Sequence, residues 1–111
     1  MSGPEFPSAD GSGVYSIVDT PPQLVGGLEA LHANVQYPQE AYDAGVQGRV
    51  YVQFVVDENG RARDLKIAKG LPLGCNEAAL RAVERARFTP GRLGGRPVKV
   101  RHTVFVNFTI N

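Results

Sequence analysis

The chain has no tryptophan, one cysteine, one methionine and, before Gly48, no lysine or arginine. A lone thiol cannot close an internal disulfide, and with only two histidines it cannot complete a four-ligand zinc site. Cysteine usage therefore leaves the redox compartment open. No apolar run exceeds a few residues, Phe54-Val55-Val56 being representative, far below the about eighteen that would cross a bilayer as a helix. Blocks of basic residues are missing too; the bases come singly, unlike a nucleic-acid-binding arm. At 111 residues there is room for one modest core, which excludes a two-domain enzyme.

What is present is the composition of a folding chain, 42% hydrophobic and 21% charged. The net charge of +1 conceals a split, because residues 1–47 hold six acids and every base lies beyond them. Two halves of opposite sign attract each other within one fold, and this fits isolated bases better than a basic binding surface does.

Residues 1–13 are rich in Gly, Ser and Pro, without apolar periodicity or the basic start of a secretion signal. They read as a flexible leader or cloning remnant, with one domain over 14–111 and a longer native protein expected. Val14 to Val18 suits a short strand ended by Pro21-Pro22. Gly26-Gly27 precedes a turn or two of helix at Leu28 to His32. Neither this pair nor Gly91, Gly94 and Gly95 has the lysine and hydroxyl residue of a phosphate loop, so both are turns.

Tyr37-Pro38 sets an extended residue before a proline suited to the first helical position, predicting a helix over 38–44 stopped by Gly45. From Gly48 to Asp57, Val50, Val52, Phe54 and Val56 share one face of a strand. Asn59-Gly60 predicts a type I′ hairpin, and the return strand runs from Arg61 to Lys69 with Leu65 and Ile67 inward. A helix follows with Asn76 as cap, a buried stripe of Ala79, Leu80, Val83 and Ala86, and Glu77, Arg81, Glu84 and Arg85 in water. Thr89-Pro90-Gly91 ends it. Val98 to Asn111 alternates as the last strand, with Val104, Val106, Phe108 and Ile110 inward and Phe105, Asn107, Thr109 and Asn111 outward.

A right-handed crossover that skips one place sets the first hairpin strand between the other two. The expected fold is α+β: a three-stranded antiparallel sheet of order 2-1-3, with helices on one face. Its two edges differ. Arg63, Asp64, Lys66 and Lys69 guard the second strand, whereas the third carries no charge or proline from Thr103 to Asn111 and invites strand addition. Otherwise that edge is covered by Tyr15 to Val18 or by a second copy of the chain.

Other chemistries are weaker. Tyr51 and Phe105, among Arg49, Gln53, Lys99 and Arg101, could stack bases on the open face, but the RNP1 spacing is missing and cross-strand packing explains them as well. Cys75 has no histidine at a spacing that would make it a nucleophile, and His102 reads as a partly buried histidine. Asp57, Glu58 and Asp64 are turn acids without a metal-binding loop.

The ordered set Gly26-Gly27, Tyr37-Pro38, Gly48-Arg49-Val50, Phe54-Val55-Val56-Asp57, Asn59-Gly60, Ala78-Ala79-Leu80, Phe88-Thr89-Pro90-Gly91, Gly95-Arg96-Pro97-Val98 and Val104 to Ile110 resembles the C-terminal domain of the TonB energy transducer. The segment Gly74 to Leu80 is most similar to the TonB-like domains of Bacteroidetes-type bacteria. The resemblance implies a periplasmic, non-enzymatic module without cofactor or metal. Such a module captures the N-terminal TonB box of outer-membrane transporters by strand addition and transmits force for uptake of iron-siderophores, vitamins or glycans. It implies docking along Val104, Phe105, Val106, Asn107, Phe108, Thr109, Ile110 and Asn111, with Asn34, Val35 and Gln36 as a second contact. It further implies an ExbB/ExbD-type motor reached through an inner-membrane anchor and spacer that these residues do not include, no nucleic-acid partner, and a possible homodimer through the open edge. The same domain type also serves other membrane and sensor proteins.

Overall fold

A computed structural model of the chain describes residues 13–110. The predicted leader, save Gly13, and the predicted docking residue Asn111 lie outside the described residues. In chain order the elements are β1 (Val14–Tyr15), β2 (Gln23–Leu24), α1 (Gly27–Ala33), α2 (Gln39–Asp43), β3 (Gly48–Val56), β4 (Ala62–Lys69), α3 (Cys75–Arg85), β5 (Phe88–Thr89), β6 (Gly91–Leu93) and β7 (Arg96–Phe108).

The three long strands are antiparallel and stand in the order β4-β3-β7, the 2-1-3 arrangement that the crossover argument requires. Alternation decides their faces. Val50, Val52, Phe54 and Val56 of β3 and Val106 and Phe108 of β7 are at most 1% exposed, packed with Leu31, Ala41 and the inner face of α3. Phe54 meets Phe88 at 5.1 Å between ring centres, closing the core where α3 ends.

The sheet exceeds three strands. β1 adds in parallel to the outer side of β7 at Lys99 and Val100, and β6 pairs with the start of β7 across the Gly94-Gly95 turn. A separate pair joins β2 to β5. Elements this short have no period to read. They exist because distant groups satisfy them: the Gln23 amide donates to Thr89 Oγ1 at 3.1 Å and the Val25 amide to the Arg87 carbonyl at 2.9 Å.

Three local expectations are corrected. Pro38, at ψ 134°, caps α2 from outside rather than filling its first turn. Gly74, in the left-handed region at φ 90°, begins α3, while Asn76 spends its Oδ1 on the Leu71 amide at 2.9 Å. The β3–β4 turn is not type I′, because Gly60 has a positive φ and Asn59 does not. Asp57 Oδ1 accepts the Asn59 and Arg61 amides, each at 2.9 Å, and the Gly60 amide returns to the Asp57 carbonyl, so a right-handed turn ends in one left-handed glycine. A Cβ at Gly60 would lie 2.0 Å from the Phe88 carbonyl oxygen, so only glycine fits.

Candidate functional site

The predicted site divides into β7 and the segment after α1. On β7, Val104, Val106 and Phe108 are committed to the core. Phe105 lies on the open face directly opposite Tyr51, ring centres 6.1 Å apart, and the Arg49 guanidinium sits 4.4 Å above the Phe105 ring. Arg49 Nε also donates to Asn107 Oδ1 at 3.2 Å. These aromatics pack against each other across strands, and the domain's own arginine covers Phe105, which leaves little of the base-stacking platform that an RNA reading needs.

The outer rim of β7 is occupied only in part. β1 takes Lys99 and Val100, and the Asn107 amide donates to His32 Nε2 at 3.0 Å. In an antiparallel ladder, peptide groups alternate between the two sides, so outward amides fall at Thr103, Phe105 and Asn107. Among the described residues no strand lies beyond Thr103 and Phe105. The Ile110 amide, of opposite parity, donates inward to Gln47 Oε1 at 3.0 Å. β1 thus pairs before the stretch from Thr103 to Asn111 that it was expected to cover, and of the expected Tyr15 to Val18 only Tyr15 takes part. At the other edge, Asp64 at φ 53° and a register shift between Gln53 and Val55 disrupt β4, adding a bulge to its charges.

The second segment reaches β7 through one residue. Val35 joins His32, Tyr37, Asn107, Phe108 and Thr109 around a cleft of about 370 Å³. Asn34 and Gln36 line a different groove, with Arg81 and Arg85 of α3. Tyr37 ties the parts together. Its hydroxyl donates to the Val46 carbonyl and its ring meets Tyr42 and Phe108 edge to face. Burial raises its phenol, with Cys75 and Tyr42 adding to the shift. His32 was not expected at this edge, since nothing in its spacing marks it. Its place beside Asn34 to Gln36 is the only sequence signal.

Reactive groups elsewhere are occupied or enclosed. Cys75 is fully buried, and burial, then Glu77, pushes its thiol up. The half-buried ring of His102 stands edge to face with Phe54 and Phe88, and burial lowers it. Burial would raise the Asp57 carboxyl, but the Arg61 amide, the Arg63 guanidinium at 2.9 Å and the Asn59 amide together hold it below the usual range. Among the described residues no three His, Cys, Asp or Glu side chains gather as a metal site would require.

The model of the family described as Gram-negative bacterial TonB protein C-terminal matches residues 33–110. The chain belongs to this family. The TonB protein of Yersinia enterocolitica is 38% identical over 60 residues, 53% of this chain and 24% of that protein. That of Xanthomonas campestris pv. campestris (strain B100) is 32% identical over 77 residues, 68% of this chain and 34% of that protein. The chain thus spans about a third or less of these relatives. The solution structure of the Pseudomonas aeruginosa TonB C-terminal domain superposes with a TM-score of 0.62 at 26% identity, covering 90% of this chain and 97% of that one. A Helicobacter pylori counterpart gives 0.58 at 24% identity over 76% of this chain and 77% of that one, a likeness of fold alone. Within this TonB domain the matched span includes both predicted contact segments as far as Ile110 and begins one residue after His32.

Proposed function

We propose that this TonB domain captures the N-terminal TonB box of outer-membrane transporters as an added strand on the outer side of β7. The observation that carries this is the stretch between β1 and His32, where Thr103 and Phe105 turn their peptide groups away from β3 with no strand beyond them among the described residues.

Each of these residues offers one donor and one acceptor, so four backbone bonds form without rearrangement. At roughly 0.5 to 1.5 kcal/mol net per bond, less the ordering of the peptide, the binding is weak enough to be released. The cleft that Val35 shares with Phe108 and Thr109 lies further along the same edge, past His32, within reach of a longer partner. The domain makes and breaks no covalent bond in this role and needs no cofactor. It works in the periplasm, joined through an inner-membrane anchor to an ExbB/ExbD-type motor whose force it passes to the transporter plug.

Isothermal titration of the domain with synthetic TonB-box peptides tests the reading. Binding that survives salt and disappears when the peptide's backbone amides are N-methylated supports strand addition. Binding insensitive to N-methylation contradicts it.

A further inference from the structure

The Asn107 amide has one hydrogen to give, and in the free domain His32 Nε2 holds it. We propose that His32 is a latch on the outer edge of β7, competing with a docking strand for this amide and so setting how far along β7 a partner pairs. This rests on the docking reading above and adds its length limit.

The backbone at His32 is held in place while its side chain stays free to turn. Its neighbour Leu31 is 1% exposed in the core and anchors the end of α1, which delivers the half-buried imidazole to β7. Accepting at Nε2, the neutral ring keeps its hydrogen on Nδ1. A paired strand lies about 4.8 Å from β7, with its carbonyl oxygen about 2.9 Å from the amide it receives. The imidazole nitrogen, at 3.0 Å from that amide, stands where this oxygen would be. A short segment therefore pairs with Thr103 and Phe105 unhindered. A longer one must swing His32 out, exchanging one hydrogen bond for another with no net gain at Asn107.

The test uses two synthetic TonB-box peptides from one transporter N-terminus, about five and about nine residues long, so that the shorter can pair at Thr103 and Phe105 without taking Asn107 whereas the longer must extend to it. Affinities are measured for the wild-type domain, His32→Ala and His32→Gln, together with hydrogen exchange of the Asn107 amide without peptide. In His32→Ala the advantage of the longer peptide should grow about fivefold, the worth of one backbone bond, and Asn107 should exchange faster. His32→Gln, whose Oε1 still accepts, should restore the wild-type ratio and protection. An unchanged ratio in His32→Ala, or an unprotected Asn107 amide in the wild type, overturns the latch while leaving the docking reading intact. If neither peptide binds any of the three proteins although Asn107 protection depends on His32, the docking reading falls and takes the competition with it.

Discussion

The ring of Phe108 meets that of Tyr37 edge to face, 5.3 Å between centres, and so fastens the end of β7 to the segment that leads into α2. Phe108 is 1% exposed, and its truncation opens a cavity where the two predicted contact segments meet. Phe108→Ala should cost about 3 to 5 kcal/mol by urea denaturation. It should also weaken peptide binding more than Tyr37→Phe, which keeps the ring and loses only the hydroxyl bond. Equal binding by the two variants would mean that this junction does not support the docking edge.

Proline discriminates the two sides of β7. The Phe105 amide faces outward, so Phe105→Pro removes no bond to β3, whereas Val106→Pro removes one. Phe105→Pro should keep the far-ultraviolet spectrum and lose peptide affinity by at least about tenfold. Val106→Pro should lose fold and binding together.

The β3–β4 hairpin depends on Asp57. Asp57→Ala strands the Asn59 and Arg61 amides in a turn that is only 7% exposed at its acid, at a cost of about 1 to 3 kcal/mol by chemical denaturation. Because the folded carboxyl lies below its ordinary value, its contribution is complete above about pH 3.9 and is lost as pH falls through the folded value. In Asp57→Asn that segment of the acid-unfolding curve should flatten. An unaltered curve would remove Asp57 from the acid response.

His102 acts in the same direction at higher pH. Burial disfavours its charged form, so the unfolded chain protonates first as pH drops below about 6.5, and stability declines until the folded ring is protonated as well. The urea midpoint should therefore be lower at about pH 5.5 than at about pH 7.5, and His102→Phe should reduce the difference. A difference of the same size in that variant would assign it to another group.

Legibility followed the range of the interactions. The alternation of β3 and β7 was plain, because burial on one face imposes a period over many residues. The stripe of α3 was read in part, since Ala79 and Val83 are buried but Cys75, Ala78 and Ala82 join them and Leu80 is only partly covered. The Asn59-Gly60 hairpin was placed correctly with the wrong turn, since the deciding acceptor, Asp57, sits outside the dipeptide. Asn76 looked like a cap until Leu71 supplied a competing donor. The β2–β5 pair and the His32 bond were invisible, for each joins residues brought together only by the finished fold. Of the predicted site, β7 was recognised as an edge, but sequence could not say which of its peptide groups β1 and His32 already hold.

Amide chemical-shift titration of the labelled domain with a TonB-box peptide bears most directly on strand addition to β7. Shifts and new exchange protection should concentrate at the outward amides of Thr103 and Phe105 and at Val35. Perturbation centred on β4 or on the open face around Gln53 and Lys66, with Thr103 and Phe105 silent, would place the partner elsewhere.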